Sequence, residues 1–294
     1  MWQQKSFENE GNKPILYLVP TPIGNLEDMS FRAARILKEA DIIAAEDTRN
    51  TRKLCNHFGI DTPVVSYHEH NKETSGRQII ERLLSGQTVA LVSDAGMPTI
   101  SDPGYELVKQ ALAEKIAVVP LPGANAALTA LISSGLSPQP FYFYGFLARG
   151  TKEKKHELES LKKLTSTWIL YESPHRLKDT LKTLLEILGD RRIVLCRELT
   201  KKFEEFIRGN LSDILIWASE SEIRGEFCII IEGASQAEEE EQQNWWDGLG
   251  LVEHVDHYIH GQNLHSKDAI KQVAKDRGVN KRDVYQAYHV DNEN

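Results

Sequence analysis

Val89-Ala90-Leu91-Val92 is a short, β-branched apolar run that breaks at once into Ser93-Asp94-Ala95-Gly96-Met97-Pro98, and then into Asp102-Pro103-Gly104. The run reads as a buried strand by its length and branching. Glycines and prolines forbid a helix until Tyr105, where an amphipathic pattern begins. Open α/β sheets place ligands at such strand ends, because small residues leave backbone donors and acceptors uncovered. Asp94 and Asp102 add acceptors for hydroxyl or ammonium groups. The competing reading is a structural loop whose aspartates cap the next helix.

The same event recurs along the chain. The apolar run at 14–19 ends in Pro20-Thr21-Pro22-Ile23-Gly24-Asn25, the run at 42–45 meets Glu46-Asp47-Thr48-Arg49, and the run at 64–67 meets His68-Glu69-His70-Asn71. Helical patterns follow Ser30 (to Glu39), at 75–84 and at 105–114, with a further strand at 116–121. Such alternation predicts a parallel sheet covered on both faces, with polar residues gathered along one edge. Pro120-Leu121-Pro122-Gly123-Ala124-Asn125 closes this unit, and a helix at 126–134 stops at Gly135. A second α/β set has strands at 141–146, 167–171, 192–196 and 227–232, and helices at 152–163 and 174–188. Ser173 at the N-cap and Pro174 at N1 start the latter helix.

The expected organisation is an α/β protein of two α/β domains, at 14–123 and 124–234, with a cleft between them. They are flanked by a disordered tail at 1–13, an acidic linker at 235–244 and a small helical unit at 245–294. In that unit Ser266 caps a helix to Arg277, stopped by Gly278, and Asn280 caps another to about Val290, a pair resembling a helix-turn-helix. The net charge of -8 sits mostly in 235–264, which has seven acidic residues and no Lys or Arg. The main body is therefore near neutral, and a nucleic-acid partner is permitted by local patches without being indicated by overall charge. Lys267, Lys271, Lys275, Lys281 and Arg282 make the terminal helices basic.

Several chemistries lack support. No GxGxxG, GxxxxGK[ST] or GxSxG occurs. His68 and His70 alternate without a third ligand, and His254, His257 and His260 form a helical stripe whose flanks suggest no site, so no metal is expected. Cys55, Cys196 and Cys228 lie far apart in sequence and fit neither a disulfide framework nor a thiolate site. No transmembrane-length run or signal-peptide core is present, which fits a reducing cytoplasm and no membrane partner.

A set of short motifs then occurs in order: Pro20-Thr21-Pro22-Ile23-Gly24-Asn25-Leu26, Ala45-Glu46-Asp47-Thr48-Arg49, Val92-Ser93-Asp94-Ala95-Gly96, Asp102-Pro103-Gly104 and Pro122-Gly123. Tyr144-Gly145-Phe146-Leu147, Tyr171-Glu172-Ser173, His175-Arg176 and Arg197-Glu198-Leu199-Thr200-Lys201 continue the series. Together they resemble the ribosomal RNA small-subunit methyltransferase I family of the tetrapyrrole-methylase superfamily, over roughly residues 15–288. Met97 stands where Thr is commoner, and Ala124-Asn125 where Pro or Ser is frequent.

The resemblance implies methylation of the ribose 2′-oxygen of a cytidine in small-subunit ribosomal RNA, with S-adenosylmethionine folded into the inter-domain cleft, and a homodimer. Backbone donors, carboxylates and an apolar slot for such a cofactor are offered by Pro22, Asp94, Ala95, Gly96, Ile100, Ser101, Pro122, Ala124, Asn125, Tyr171, Gly225 and Glu226. Glu46, Asp47, Glu172 and His175 are candidates to take the hydroxyl proton. Arg49, Arg176, Arg197 and Lys201 are candidates to hold RNA phosphates. Structural ion pairs or caps compete with each role, above all for Asp47–Arg49. Two other readings stand beside this one: a tetrapyrrole methyltransferase, and a non-catalytic RNA-binding assembly factor. The charge in ExDTR and ESPxR disfavours an apolar macrocycle, and the cofactor-type loops disfavour a pure binding protein.

Overall fold

The computed structural model describes residues 1–6, 14–235 and 246–289. The expected linker at 236–244, most of the tail at 7–13 and the end of the last helix at Val290 lie outside the described residues. The chain divides into two compact units, Met1–Gly233 and Ala234–Asn294.

In the first unit, β1 (Ile15–Leu18), β2 (Ile42–Ala45), β3 (Val64–Ser66), β4 (Val89–Val92) and β5 (Ala117–Pro120) form one sheet in the order β3-β2-β4-β1-β5. Every pairing is parallel. Strands β2 and β4 are buried throughout, as a sheet covered on both faces requires. α1 (Phe31–Glu39) and α2 (Thr48–Phe58) share a core on one face through Ala33, Ile36, Leu37 and Cys55. α3 (Lys72–Leu84) and α4 (Tyr105–Ala113) cover the other through Ile79, Leu83, Leu107 and Ala111. Neighbours β1 and β4 send the chain opposite ways, β1 towards β2 and β4 towards β5. Their loops therefore part at the carboxyl edge, which is the crevice open α/β sheets use for ligands.

The second sheet has the order β6-β7-β10-β8-β9, from β6 (Phe141–Gly145), β7 (Thr167–Glu172), β8 (Arg192–Arg197), β9 (Glu205–Asn210) and β10 (Phe227–Ile231). Only β6 and β7 pair in parallel; β10 runs antiparallel to β7 and β8, and β9 antiparallel to β8. α5 (Ala126–Ser134) packs on one face with Ile169, Val194, Cys196 and Ile230, and takes Ile23 from the first half into the same core. α6 (Thr151–Leu161), α7 (Pro174–Leu188) and α8 (Leu211–Glu220) cover the other around Trp168, Leu170 and Ile229.

The expected strands and helices are present, with ends shifted by a few residues, and three elements were not foreseen: α2, β9 and α8. β9 is an edge strand with exposed Arg208 and Asn210, so it lacks the apolar alternation of a half-buried strand. α2 begins at Thr48 directly beyond the polar loop, and its sequence buries only Thr51 and Cys55.

The second unit holds α9 (Leu251–Asp256), continued by a π-helical turn His257–Gly261, then α10 (Ser266–Arg277) and α11 (Lys281–His289), around Val255, Ile270, Val273 and Val284. Ser266 is the first helical residue and does not cap α10; His265 holds the N-cap position without a side-chain bond. Gly278 ends α10 in the left-handed region at φ 63°. Asn280 accepts the Arg282 N–H at 3.0 Å, as expected of a cap. His254 is fully buried, stacked between Trp246 and Tyr258, and its Nδ1 accepts from Arg277 Nε at 3.0 Å. Packing accounts for that member of the histidine stripe.

Each unit has its own apolar core. A chain ending at Gly233 is therefore expected to unfold in one cooperative transition with a full complement of α/β circular dichroism. Gradual, non-cooperative melting would show that the first unit is not self-sufficient.

Candidate functional site

Two cavities open on either side of a strap made by the loops after β1 and β4. Thr21 and Gly96 exchange backbone hydrogen bonds of 2.9 Å in both directions, an isolated antiparallel bridge beyond the strand ends. The Thr21 hydroxyl donates to Ser93 O at 3.1 Å, and the Ser93 hydroxyl donates to Gly96 O at 3.0 Å. Both side chains are buried, and these bonds satisfy them within the strap.

The larger cavity, about 440 Å³, lies between the two sheets. The first half contributes Ile23, Ala95, Gly96, Met97, Ile100, Ser101 and Asp102. Gly96 sits at φ 79°, and a Cβ there would lie 3.2 Å from Ile23 Cγ2 and 3.4 Å from Ala124 O. The backbone is therefore bare where it meets the cavity. From the second half come Asn125, Ala126, Phe146, Tyr171 and the polar trio Glu198, Lys201 and Glu226. Asn125 caps α5 by accepting the Leu128 N–H at 2.9 Å. Tyr171 packs edge-on against Phe143 and Phe146, and its hydroxyl accepts the Ala127 N–H at 3.1 Å. Burial pushes that phenol up to about 12.

The polar trio is tightly knit. Lys201 Nζ donates to Glu198 Oε1 at 3.0 Å and Glu226 Oε2 at 2.8 Å, and the Glu226 N–H donates to the same Glu198 oxygen at 2.9 Å. Burial alone would raise the Glu198 carboxyl, but the Glu226 N–H and the Lys201 ammonium outweigh it and hold it below the usual range. Burial likewise disfavours charged Lys201, yet Glu226 and Glu198 carry it above the ordinary lysine value. Two carboxylates facing one ammonium leave this wall with a net negative charge. Glu198 and Thr200 hold positive φ of 50° and 66°, a conformation non-glycine residues adopt only when their surroundings impose it. Gly24 imposes part of it, packing against Thr200 and Lys201, while the Asn25 N–H donates to Thr200 Oγ1 at 3.1 Å.

Three carboxylates, Glu46, Asp94 and Asp102, converge where β2 and β4 end. Burial raises Glu46 above its usual value, and the charges of Asp102 and Asp94 add to it. Burial and Asp94 raise Asp102, partly offset by the Ser93 hydroxyl. Asp102 lines the larger cavity and Asp94 the smaller.

Of the candidate cofactor residues, Ala95, Gly96, Ile100, Ser101, Asn125, Tyr171 and Glu226 meet around the larger cavity. Pro22 and Asp94 do not; they line the smaller one. Pro122 and Ala124 line neither, although Ala124 backs Gly96. Gly225 also lines neither: a Cβ there would lie 2.6 Å from Glu198 Oε1, so its place is to admit the Glu198 carboxylate.

Most of the candidate catalytic and phosphate residues are already engaged. Glu172 is buried, accepting the Ser173 N–H at 2.8 Å and the Thr180 hydroxyl at 2.6 Å, so its carboxylate anchors the start of α7 and is not a free base. Asp47 caps α2 and grips the Arg49 guanidinium at 3.0 and 3.2 Å, a local pair that holds its carboxyl below the usual range. Arg176 donates to Leu147 O and Ala148 O, and Arg197 to Arg224 O and Glu205, so neither is available to phosphate. Lys201 belongs to the polar trio of the larger cavity and is not a surface phosphate contact. His175 is exposed on α7 and lines neither cavity. Glu46 makes no hydrogen bond or ion pair among the described residues. Glu198 was not among the expected site residues, because in sequence it sits between Arg197 and Lys201 and reads as their local ion-pair partner. Met97, Phe146, Cys196, Leu199 and Phe227 were missed because apolar lining has no local signature.

The sequence pattern of the family described as Tetrapyrrole (Corrin/Porphyrin) Methylases matches residues 15–215. The chain is 62% identical over 288 residues to ribosomal RNA small subunit methyltransferase I of Bacillus subtilis, covering 98% of each chain. It is 60% identical over 289 residues to the protein of that name from Halalkalibacterium halodurans, covering 98% of this chain and 99% of that one. Its fold is similar to that of uroporphyrin-III C-methyl transferase from Thermus thermophilus, solved with S-adenyl homocysteine, with a TM-score of 0.53 over 74% of this chain and 96% of that one, at 20% identity.

Two outcomes follow from the site's geometry. In Gly24→Ala the new methyl would meet the Lys201 side chain and lie 2.9 Å from Thr200 Oγ1. A loss of about 1–3 kcal/mol in denaturant unfolding is expected; full stability would mean the two loops separate freely. Glu46→Gln acts in the other direction. The fold raises the Glu46 pKa, so it favours the protonated form, and the ionised side chain costs stability above its folded pKa. Glutamine is expected to raise the melting temperature at neutral pH, and the gain should vanish below the ordinary value of 4.5, where both folded and unfolded Glu46 are protonated. A variant equally or less stable at neutral pH would contradict the crowding of these carboxylates.

Proposed function

The chain belongs to the ribosomal RNA small subunit methyltransferase I family of the tetrapyrrole methylases, and from that membership we propose that it methylates the ribose 2′-hydroxyl of a cytidine in small-subunit ribosomal RNA, using S-adenosylmethionine. The observation that carries the cofactor assignment is the larger cavity: bare backbone at Ala95-Gly96, apolar walls, and a polar trio with net negative charge. Its volume, about 440 Å³, falls in the range of small-molecule sites. Ile23, Ile100, Phe146 and Phe227 offer an apolar slot for an adenine ring, and Glu198 and Glu226 offer acceptors for ribose hydroxyls or an ammonium group. The residues present therefore fit the cofactor.

When bound, the cofactor supplies a methyl group on a cationic sulfur that departs as a neutral thioether. The chain's own contribution is to position the acceptor and remove its proton. Glu46 lines neither cavity but follows β2 beside Asp94 and Asp102, which do, and is our candidate for the second task. Its raised pKa makes it a stronger base than an ordinary glutamate, and it has no partner among the described residues to compete for its lone pairs. In this reading the hydroxyl proton passes to the Glu46 carboxylate as the new carbon–oxygen bond forms. Partial burial, with repulsion from Asp102 and Asp94, keeps Glu46 basic.

The test uses small ribosomal subunits and S-adenosylmethionine labelled in the methyl group. Methylation of a 2′-oxygen blocks alkaline cleavage of the adjacent phosphodiester. Label is thus expected in an alkali-resistant dinucleotide whose 5′ nucleoside is cytidine; label on a base, or only on an added porphyrinogen, would reject the assignment. Activity should fall as pH drops through the raised Glu46 pKa, and Glu46→Gln should lose about 10²-fold or more in turnover with cofactor affinity retained. Undiminished turnover in that variant would move the base elsewhere.

A further inference from the structure

The smaller cavity, about 250 Å³, lies apart from the one assigned above to the cofactor. One wall is a single face of α2: Asn50, Lys53, Leu54 and His57 fall at i, i+3, i+4 and i+7, and all four line it. The facing wall is the strap, from Pro22 to Leu26, and the floor includes Ser93 and Asp94. Successive residues Asp94 and Ala95 line different cavities, so the two share the strap as a partition. Asp94 Oδ1 accepts the Asp47 N–H at 3.0 Å, and its other oxygen has no hydrogen bond among the described residues.

The helix that forms one wall of this cavity carries charge of one sign. α2 contains Arg49, Arg52 and Lys53 and no carboxylate. Asp47 holds Arg49, but among the described residues no carboxylate pairs with Arg52 or Lys53, nor with Arg32 or Lys38 of α1, which shares the α2 core. Lys53 in the lining and Arg52 on the same helix, without carboxylate partners among the described residues, suit a phosphate-bearing ligand more than a neutral one. The volume lies below the roughly 300–1,000 Å³ of drug-sized sites and suits a fragment as small as one base.

We propose that this cavity is the base pocket for the substrate RNA, receiving one cytosine turned out of its stack while Arg52, on the helix that forms one wall, meets a flanking phosphate. Asp94 accepts from the exocyclic amine, and Asn50 and Lys53 donate to the ring acceptors. A carboxylate at that position discriminates against uracil, whose carbonyl at the equivalent atom would face it with like polarity. This inference rests on the RNA methyltransferase reading.

Asn50→Ala, Lys53→Ala and Lys53→Arg are compared with the parent for melting temperature, cofactor dissociation constant and steady-state methylation of small subunits. Melting and cofactor affinity should stay near the parent values, while KM rises about 10-fold or more in the alanine variants and partly recovers in Lys53→Arg. Arg52→Ala should flatten the salt dependence of KM. Asp94→Asn should narrow the preference for subunits carrying cytidine over uridine at the target position. An unchanged KM in the Asn50→Ala, Lys53→Ala double variant overturns the pocket, and so does a parallel loss of cofactor affinity. If the parent labels no small-subunit RNA at all, the methyltransferase assignment has failed. The pocket is then read from fluorescence anisotropy of a labelled, cytidine-containing single-stranded oligoribonucleotide: weaker binding by the double variant supports it, and equal binding rejects it.

Discussion

The paired backbone hydrogen bonds between Thr21 and Gly96 hold together a site that is otherwise made of diverging loops. Strands β1 and β4 lie side by side, yet their chains leave for opposite ends of the sheet. Nothing in the sheet itself keeps the two loops together beyond the last ladder bond. The bridge does so, and the hydroxyls of Thr21 and Ser93 lock it from beneath. Each such bond contributes only about 0.5–1.5 kcal/mol net, but a buried hydroxyl left without its partner costs about 1–3 kcal/mol. The strap is therefore more costly to break than its bond energies suggest. Gly96 completes it, since φ 79° and the proximity of Ile23 and Ala124 both exclude a side chain.

With the strap fixed, electrostatics divides the space around it. The larger cavity has acidic groups on both of its sides, Asp102 on one and the Glu198–Lys201–Glu226 trio on the other. The smaller cavity beyond the strap pairs Lys53 of α2 with Asp94 in its lining. Like charges at Glu46, Asp94 and Asp102 are destabilising, as the upward shifts of Glu46 and Asp102 show. A fold selected for stability alone would not gather carboxylates at the end of two fully buried strands.

Much of this was legible in the sequence where local chemistry dictates structure. Gly24, Gly96 and the paired prolines mark loops because few other residues fit them, and Ser30 and Asn280 act as caps as their positions imply. The parallel first sheet followed from its alternating periodicity. The mixed second sheet was less visible, because β9 is a polar edge strand and antiparallel pairing is chosen by long-range contact. The site residues divide the same way. Backbone-exposing positions such as Ala95 and Gly96 reached the cavity as expected, since a small-residue loop can do little else. Charged positions misled: Glu172, Asp47, Arg176 and Arg197 occur in motifs, but they brace the loops that carry the chemistry. A charged residue at a strand exit has a helix N-terminus, several free carbonyls and other charges within reach. Sequence alone does not say which of these claims it.

Glu46 and Asp47 show how two neighbouring carboxylates come to opposite electrostatic states. It leaves β2 immediately before Asp47, and the two differ in sequence by one methylene group. Asp47 finds the first N–H groups of α2 and a guanidinium, so its charge is stabilised and its basicity lowered. Glu46 points where only other carboxylates and partial burial await it, so its charge is destabilised and its basicity raised. The partnering of Asp47 is in turn what leaves Glu46 unpaired, because the Arg49 side chain closest in sequence is already bound. Local ion pairing at the start of α2 thus neutralises Asp47 beside the raised carboxylate of Glu46, and removing the arginine charge would free Asp47 to repel Glu46 more strongly.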